Sequence, residues 1–481
     1  MENMSIKKAT LINSGAKYYN VLCSFAVNLI LARILTPEEY GIVAVVTVFI
    51  TFFNLFSDLG FGIAYIQNKY LDENDRNNLF TFLVYVGIAL FAIFFVFAYG
   101  IASFYGDDIY VPVAQLLGVN LFLTAVNVIP SADLLKNQKF LTLGIVQAIS
   151  GTVAAICAVI FAKNGLSYYS IVFQGIINTC LICVTNLILV RPRFVFKIHL
   201  ESVNKVLGFS MGQIGFNFIN YFSRNLDNLL IGKFFGSAEL GYYDKAYKTT
   251  TYALSNFSSI IGNSIQPVLA KHQDEKEFVY EKFKKVFLFL CVIGSFISVS
   301  FYLCSEEIIF VLYGNQWGKS VAAFSYLALS LFIQMPLSTA GSFYQVLNNT
   351  KLLAISGAMS AGIIVSGIFG GIIGGSIEAV AFGFFLSECV NFVCTLLLMS
   401  KKLFDVSFAE IWFEILKIIA VSVVILFICN AVYSYIQPFN YVISLFIKLL
   451  ICCSLFFVLS FFAKIERHVL GVVFQNYKRK H

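Results

Sequence analysis

Long apolar stretches alternate with short polar ones from one end of the chain to the other. Fourteen of the apolar stretches reach the roughly 20 residues that a helix needs to cross a bilayer. We therefore predict an all-α polytopic membrane protein with about 14 transmembrane helices. The predicted helices cover residues 10–32, 41–66, 79–104, 111–135, 141–162, 166–190, 206–232, 241–269, 285–304, 320–347, 352–374, 376–399, 411–433 and 440–463.

Polar residues interrupt the first predicted helix at steps of three or four, which places them on one helical face. They are Asn13, Lys17, Asn20, Ser24 and Asn28. The same stripe recurs 200 residues later, as Gln213, Asn217, Asn220, Arg224 and Asn228. Between 13 and 41, six residues are identical to those 200 positions further on: Gly15, Asn20, Asn28, Leu29, Glu39 and Gly41.

We interpret this recurrence as an internal duplication. It predicts two pseudo-symmetric six-helix lobes, residues 1–200 and 201–400, followed at 401–481 by two extra helices and a basic cytoplasmic tail. Because each lobe has an even number of helices, both lobes begin on the same side of the membrane and have the same orientation. In transporters built this way, the substrate binds between the lobes near the middle of the membrane.

Lysine and arginine are distributed unequally between the loops on the two sides of the predicted membrane. One set of loops and termini carries 23 of them and the other carries four. Because basic residues stay in the cytoplasm, both termini are predicted to be cytoplasmic.

Composition agrees with a membrane protein, because only 12% of the 481 residues are charged, against about 25% in soluble domains. The 11 cysteines lie almost all within apolar stretches, and the four histidines lie in loops or the tail. We therefore expect no metal site, no cofactor and no catalytic centre. The net charge of +7 comes mostly from loop residues and does not indicate a nucleic-acid partner.

Charged side chains inside the predicted helices are the candidates for function, because each costs about 2.5–3.5 kcal/mol near the bilayer centre. A cleft that binds an anionic group such as a diphosphate would use the cations and one amide: Lys17, Asn20, Arg224, Lys245 and Lys248. The alternative is that neighbouring acids neutralise these cations. Arg224 lies three residues before Asp227, and both Lys245 and Lys248 lie near Asp244. Lys17 could also extend to the interface.

Three acidic residues are candidates for ion coupling: Asp58, Asp227 and Glu388. A carboxylate in a low-dielectric site can hold a proton. Asp58 ends a polar face of Thr47, Thr51 and Asn54 on helix 2. Such a face on helix 8 consists of Lys248, Thr251, Ser255 and Ser258 (or Ser259). Hydrogen bonding between helices is the alternative role for these carboxylates.

The connection from helix 1 to helix 2 reads Arg33-Ile-Leu-Thr-Pro-Glu-Glu-Tyr-Gly41, and Asp58-Leu-Gly-Phe-Gly62 follows. We expect Pro37, Glu38 and Glu39 to form a compact outer turn before helix 2 begins at Gly41. In these motifs the chain resembles the polysaccharide transport family, the bacterial flippases of O-antigen, capsule and teichuronic-acid type. That family belongs to the multidrug/oligosaccharidyl-lipid/polysaccharide exporter superfamily. The twelve-plus-two layout extends the resemblance over the whole chain.

The resemblance implies a flippase for cell-surface polysaccharide biosynthesis, lipopolysaccharide included. It would move an undecaprenyl-diphosphate-linked oligosaccharide from the inner to the outer leaflet of the bacterial cytoplasmic membrane by alternating access. The partners it implies are this lipid-linked substrate, the membrane lipid and a polysaccharide polymerase.

Other classes stay open beside this one. An ion-coupled multidrug exporter of the same fold would prefer an acidic, aromatic cleft, and the chain has 52 phenylalanines and 25 tyrosines. A membrane glycan polymerase or ligase would be an enzyme and would need a large outer loop, whereas the longest predicted one covers only 305–319. A scramblase-like structural subunit is a further alternative. We predict a transporter and not an enzyme.

Overall fold

A computed structural model of the chain describes residues 6–58, 60–196, 199, 201–203, 221, 225–433 and 440–463. The side chains of 6–14, 16, 17, 256–264, 266–268 and 270 lie outside this description. Over the described ranges the chain is helical and has no strand, as predicted for an all-α protein.

The first compact unit comprises Met1–Gly241. Within it α4 and α5 pack side by side, while α6 lies against both α1 and α7. Its helices are α1 (Ile6–Ile34), α2 (Pro37–Asp58), α3 (Phe61–Gln67), α4 (Glu73–Tyr105), α5 (Tyr110–Lys136), α6 (Phe140–Lys163), α7 (Tyr169–Val190), α8 (225–235) and the first turn of α9 (Ser237–Leu269).

The second compact unit comprises Tyr242–His481 and contains the rest of α9. Its closest helix pairs are α10 with α12 and α14 with α15, and α16 packs on α10. The helices are α10 (Lys276–Leu303), α11 (Ser305–Tyr313), α12 (Ser320–Leu337), α13 (Ala340–Val346), α14 (Thr350–Ile373), α15 (Ile377–Leu398), α16 (Ala409–Tyr433) and α17 (Tyr441–Phe462). The division of the chain at 200 and 400 remains a prediction.

Within the described ranges, 11 helical segments are long and apolar enough to cross a membrane. Of the other three predicted spans, α1 has a described apolar segment at Tyr18–Ile34. The span at 206–232 lies largely outside the described residues, and α9 contains Asp244, Lys245 and Lys248. The chain is therefore a multi-pass membrane protein, and the number 14 remains a prediction.

The prediction of one continuous helix over 41–66 is wrong, because α2 begins before residue 41 and ends before residue 66. The helix begins at Pro37 because Thr36 and Glu39 form a capping box, with the Thr36 N–H donating to Glu39 Oε2 at 2.6 Å. It ends at Asp58, and Gly60 is left-handed (φ 73°) before α3 begins. The Asp58 carboxylate accepts from the Gly62 N–H at 3.0 Å and so caps α3. Gly41 consequently lies inside α2.

Left-handed residues recur at matching points along the two halves of the chain. Gln138 precedes α6 and Asn348 precedes α14, 210 residues later. Gly165 and Gly375 stand in the next connections, again 210 residues apart. These pairs fit the predicted repeat, with an offset of 210 at these loops in place of 200.

The chain after α7 is held against the first two turns of α4. The N–H of Arg193 donates to Asn77 Oδ1 at 2.9 Å, and the N–H of Val195 donates to Thr81 Oγ1 at 3.0 Å. Ser202 donates to Asp75 at 2.6 Å. Because all these acceptors sit on buried side chains of one helix, the start of the connection between the predicted lobes belongs to the first unit.

Helices α11 and α17 are joined by a buried ion pair in the second unit. Lys448 contacts Glu307, whose exposed fraction is 4%, and Ser444 donates to the same carboxylate at 2.9 Å. The two additional C-terminal helices are therefore fixed to the second unit by polar as well as apolar contacts.

Candidate functional site

Helix α2 has a polar face that is exposed although the helix is long enough to span the membrane. Thr47 and Thr51 are exposed, whereas the adjacent residues from Ile42 to Val46 are buried. Each hydroxyl donates to the carbonyl four residues earlier, at 2.7 and 2.8 Å. Exposed hydroxyls at membrane depth suit a water-filled cleft better than lipid.

Helix α9 has the matching face in the second unit. Lys248, Thr251 and Ser255 are exposed, while Thr249 and Thr250 beside them are buried. The spacing of the three exposed residues is that of one helical face. Part of each predicted polar face is therefore exposed: Thr47 and Thr51 on α2, where Asn54 and Asp58 are half-buried, and Lys248, Thr251 and Ser255 on α9, which is predicted helix 8.

Lys248 is paired with an acid one turn earlier on the same helix. Its Nζ lies 2.7 Å from Asp244 Oδ2, and its side chain is half exposed while that of Asp244 is buried. The neutralising partner considered for this lysine is thus present. An exposed ammonium that shares one carboxylate can still donate to a second anion, because it has three donors.

Lys245 points away from the exposed face of α9. It is 3% exposed, and its Nζ lies 5.3 Å from the ring centroid of Tyr313 and 5.5 Å from that of Trp317. Burial raises the pKa of Tyr313 to about 12, so its hydroxyl is neutral at physiological pH and bonds Thr249 at 2.8 Å. The surroundings are those of a cation–π contact within the second unit rather than of a cleft residue.

Of the remaining predicted cleft residues, only Asn20 has a side chain that the structure describes. Asn20 on α1 is half-buried, and its Oδ1 lies 3.5 Å from the Cβ position that Gly151 of α6 lacks. The side chains of Lys17 and Arg224 lie outside the described residues. Of the five predicted cleft residues, the structure therefore puts only Lys248 on a described exposed polar face.

Two of the three candidate acids are bound to nearby backbone N–H groups. Asp58 caps α3 through Gly62, and Asp227, which is 2% exposed, accepts from the N–H of Asn228 at 2.8 Å. Both carboxylates therefore have local structural contacts.

Glu388 on α15 has different surroundings. It is buried among amides and hydroxyls, and Asn391 Nδ2 donates to it at 3.4 Å. Asn391 in turn accepts from Ser360 of α14 at 2.6 Å and from Thr395 at 3.3 Å. Glu388 is therefore held in a network of side-chain hydrogen bonds that joins α14 and α15.

The start of α9 packs directly on the start of α2. A Cβ added to Gly41 would overlap the carbonyl oxygen of Ser237, and a Cβ added to Gly241 would overlap that of Pro37. No side chain fits between the two helix starts at this point, which explains why both positions are glycine. The sequence signal was present, since these glycines are identical across the repeat.

Helix α8 is fastened to the same region by bonds from side chains to backbone carbonyls. Tyr105 OH donates to Leu229 O at 3.2 Å, and Lys233 Nζ donates to Phe104 O. Four residues before α8, Tyr221 OH donates to Val48 O. Gly232 lies against Tyr105, with 3.0 Å between its added Cβ and that ring. The sequence did not identify these tyrosines, because a buried tyrosine has no distinctive spacing.

Comparison with known proteins assigns the chain to a family. The family model described as "Polysaccharide biosynthesis protein" matches residues 30–322, more than half of the chain. The chain belongs to this family. The resemblance read from helices 1 and 2 is thereby confirmed.

Two curated relatives align over most of the chain. Teichuronic acid biosynthesis protein TuaB of Bacillus subtilis is 22% identical over 79% of this chain and 81% of its own. Lipopolysaccharide biosynthesis protein WzxC of Escherichia coli is 22% identical over 85% and 84% respectively.

The fold is also that of a solved flippase. Lipid II flippase MurJ in an inward closed conformation superposes with a TM-score of 0.74, covering 94% of this chain and 99% of its own, at 15% identity. At this identity the likeness establishes the fold. Together with the family and its relatives, it confirms the prediction of a transporter rather than an enzyme.

Proposed function

We propose that this polysaccharide biosynthesis protein flips an undecaprenyl-diphosphate-linked oligosaccharide from the inner to the outer leaflet of the bacterial cytoplasmic membrane. The family and the names of TuaB and WzxC support a role in cell-surface polysaccharide biosynthesis. The MurJ-like fold supports a lipid-linked substrate. A polysaccharide polymerase would then act on the transported product.

The observation that carries alternating access is the backbone contact between Gly41 and Gly241. Both glycines lie at the side that the distribution of basic residues predicts to be outside. A contact without intervening side chains can separate and close again, because it needs no rotamer change on either face. We therefore assign the contact to an outer gate that opens and closes as access alternates.

Each unit has its own candidate surface for substrate contact, the exposed polar face of α2 in the first unit and that of α9 in the second. Lys248 would bind a diphosphate oxygen as a point charge, while Thr47 and Thr51 would face the glycan. Asn20, Lys17 and Arg224 remain proposed cleft residues, and Lys245 would act indirectly by fixing α11 beneath α9. For ion coupling we favour Glu388 over Asp58 and Asp227, whose carboxylates bind local backbone N–H groups.

The test is head-group selectivity in proteoliposomes. Wild-type protein should move a fluorescent undecaprenyl-diphosphate oligosaccharide faster than the same lipid bearing a neutral linker. Lys248→Ala should lose most of that preference, whereas Lys319→Ala, outside the predicted membrane-spanning segments, should keep it. Equal movement of both lipids by the wild type would refute diphosphate recognition, and expulsion of a cationic dye without lipid movement would identify a drug exporter.

A further inference from the structure

The connection after α7 runs along α4 for one helical turn. The N–H of Arg193 donates to Asn77 Oδ1 at 2.9 Å, and the N–H of Val195 donates to Thr81 Oγ1 at 3.0 Å. Thr81 lies four residues, about 6 Å, further along the helix axis than Asn77. Because α4 is a candidate membrane span that is mainly apolar from Leu79 onward, this direction leads from its polar start into the bilayer.

The connection then returns to the start of α4. The N–H of His199 donates to Asn78 Oδ1 at 3.3 Å, and Ser202 donates to Asp75 at 2.6 Å. Among the described residues of the connection, Val195 is thus the one bonded furthest along α4. The residues beside it in sequence are carried to the same level of the membrane.

These neighbours are two exposed phenylalanines that form an aromatic cluster with α4. Phe194 is 43% exposed and Phe196 is 88% exposed. The ring centroid of Phe194 lies 5.8 Å from that of Tyr85 and 5.3 Å from that of Phe196. Tyr85 and Ile88, one turn apart on α4, are also exposed. The cluster is therefore continuous with an exposed apolar face of a membrane-spanning helix.

Two arginines stand beside this cluster, where α7 ends. Arg191 is the C-cap of α7, a candidate membrane span, and its Nε donates to Ile188 O at 3.2 Å. Both Arg191 and Arg193 are exposed. A guanidinium has five N–H donors, so Arg191 retains donors for a phosphate while it makes this bond.

The sequence of the connection makes the surroundings cationic. Residues 191–205 contain four lysines and arginines and a single acid, Glu201. The excess of basic residues predicts this side of the membrane to be cytoplasmic. The surface there therefore complements the anionic lipids of the cytoplasmic leaflet.

We propose that Arg191, Arg193 and the rings of Tyr85, Phe194 and Phe196 form a binding site for an anionic phospholipid of the inner leaflet. Aromatic rings at the end of a membrane span lie at headgroup level, and neighbouring cations bind the phosphate. The occupant is a bilayer lipid because the exposed rings continue the apolar face of α4. The site lies in the first unit, and its existence does not depend on the lipid that the protein transports.

The test is native mass spectrometry of the full-length protein in detergent, without any lipid-linked oligosaccharide. Phosphatidylglycerol and phosphatidylcholine with identical acyl chains are titrated separately. Wild-type protein should bind phosphatidylglycerol more tightly, and this preference should decrease as the ionic strength of the titration buffer rises. Inorganic phosphate, added as a competitor, should not displace the lipid, because it lacks the acyl chains that contact the rings.

Arginine variants separate this site from a general effect of positive charge. Arg191→Gln/Arg193→Gln should weaken phosphatidylglycerol binding about thirtyfold, since each basic residue near an anionic surface contributes about fivefold. Arg191→Lys/Arg193→Lys should retain most of the affinity because the charges remain. The matched control is Lys401→Ala/Lys402→Ala, which removes two exposed lysines predicted to lie on the same side of the membrane. Its affinity should be that of the wild type.

A variant of the rings measures the apolar part of the site. Phe194→Ala/Phe196→Ala should weaken binding of both phospholipids by the same factor, because contact between rings and acyl chains does not depend on the headgroup charge. The preference for phosphatidylglycerol should then persist at lower affinity.

Any of three results would overturn the proposal. Equal wild-type affinities for the two phospholipids would exclude recognition of an anionic headgroup. A loss in Arg191→Gln/Arg193→Gln no greater than in Lys401→Ala/Lys402→Ala would place the lipid elsewhere and leave these side chains to a soluble partner. Displacement of the lipid by inorganic phosphate would identify a site for soluble anions.

Discussion

Gly41 and Gly241 occupy equivalent positions in the two repeats and meet backbone to backbone. The Cβ that each lacks would lie close to the other's nitrogen, at 3.1 Å from Gly241 N and at 3.2 Å from Gly41 N. Each Cβ would also overlap the carbonyl oxygen four residues before the other glycine, at Ser237 and at Pro37. Reciprocal contacts of this kind are the mark of a two-fold relation between the helix starts.

The first prediction concerns this contact. Gly241→Ala should lower the free energy of unfolding by about 1–3 kcal/mol, because the added methyl overlaps backbone that cannot move aside. The measurement is thermal unfolding in detergent. Gly15→Ala on α1 is the matched control, since nothing among the described residues lies within 4 Å of its added Cβ. Equal Tm values for both variants would show that the helix starts are not in contact in the stable state.

The second prediction concerns the hydrogen bond between α4 and α8. Tyr105→Phe removes the donor to Leu229 O and should cost about 0.5–1.5 kcal/mol, the usual net value of one such bond. Tyr99→Phe removes a hydroxyl from a 59% exposed side chain on the same helix and should have little effect. Chemical denaturation of both variants measures the difference. A loss no greater than that of Tyr99→Phe would contradict the assigned bond.

The third prediction concerns the attachment of α17. Lys448→Ala leaves the Glu307 carboxylate buried without its cation and should cost about 3–5 kcal/mol. The double variant Glu307→Gln/Lys448→Met should recover much of this loss, because no uncompensated charge remains. Lys417→Ala, which breaks an i,i+3 pair on α16, should cost only about 0.2–0.5 kcal/mol. Additive losses in the double variant would argue against the ion pair.

The fourth prediction concerns proton coupling. Glu388→Gln keeps a side chain that accepts from Asn391 but cannot exchange a proton. Transport by this variant should no longer respond to external pH, while its Tm stays close to the wild-type value. Glu378→Gln, in the first turn of α15, is the control and should retain the wild-type pH response. Persistence of that response in Glu388→Gln would remove this residue from the coupling mechanism.

Much of the architecture could be predicted from hydrophobic spacing alone. Helix positions follow from apolar length, and the repeat was visible wherever identical residues remained in register, as at Glu39 and Gly41. A comparison at a fixed spacing of 200 misses the repeat in the later helices. There the left-handed pairs Gln138/Asn348 and Gly165/Gly375 are 210 residues apart. A shift of ten residues breaks any alignment made at fixed spacing.

The candidate site was harder to predict, because helical periodicity gives a residue's face and not its neighbours. Lys245 and Lys248 are three residues apart, yet one is buried against Tyr313 and Trp317 and the other is exposed. Asp58 seemed to lie within a continuous helix, whereas Gly60 breaks that helix and gives the carboxylate a capping role. The first difference arises from tertiary contacts that a single sequence does not contain, whereas the second arises from a local break of the helix at Gly60.

The most direct measurement is transbilayer movement of an undecaprenyl-diphosphate oligosaccharide in proteoliposomes. It would compare wild type with Gly41→Ala and with Gly15→Ala, and protein-free vesicles would give the background. Wild type and Gly15→Ala should move the lipid well above that background. Gly41→Ala should be slowed at least tenfold, because the added methyl prevents the outer gate from closing. Movement by the wild type no faster than in protein-free vesicles would contradict the flippase, and full activity of Gly41→Ala would contradict the gate.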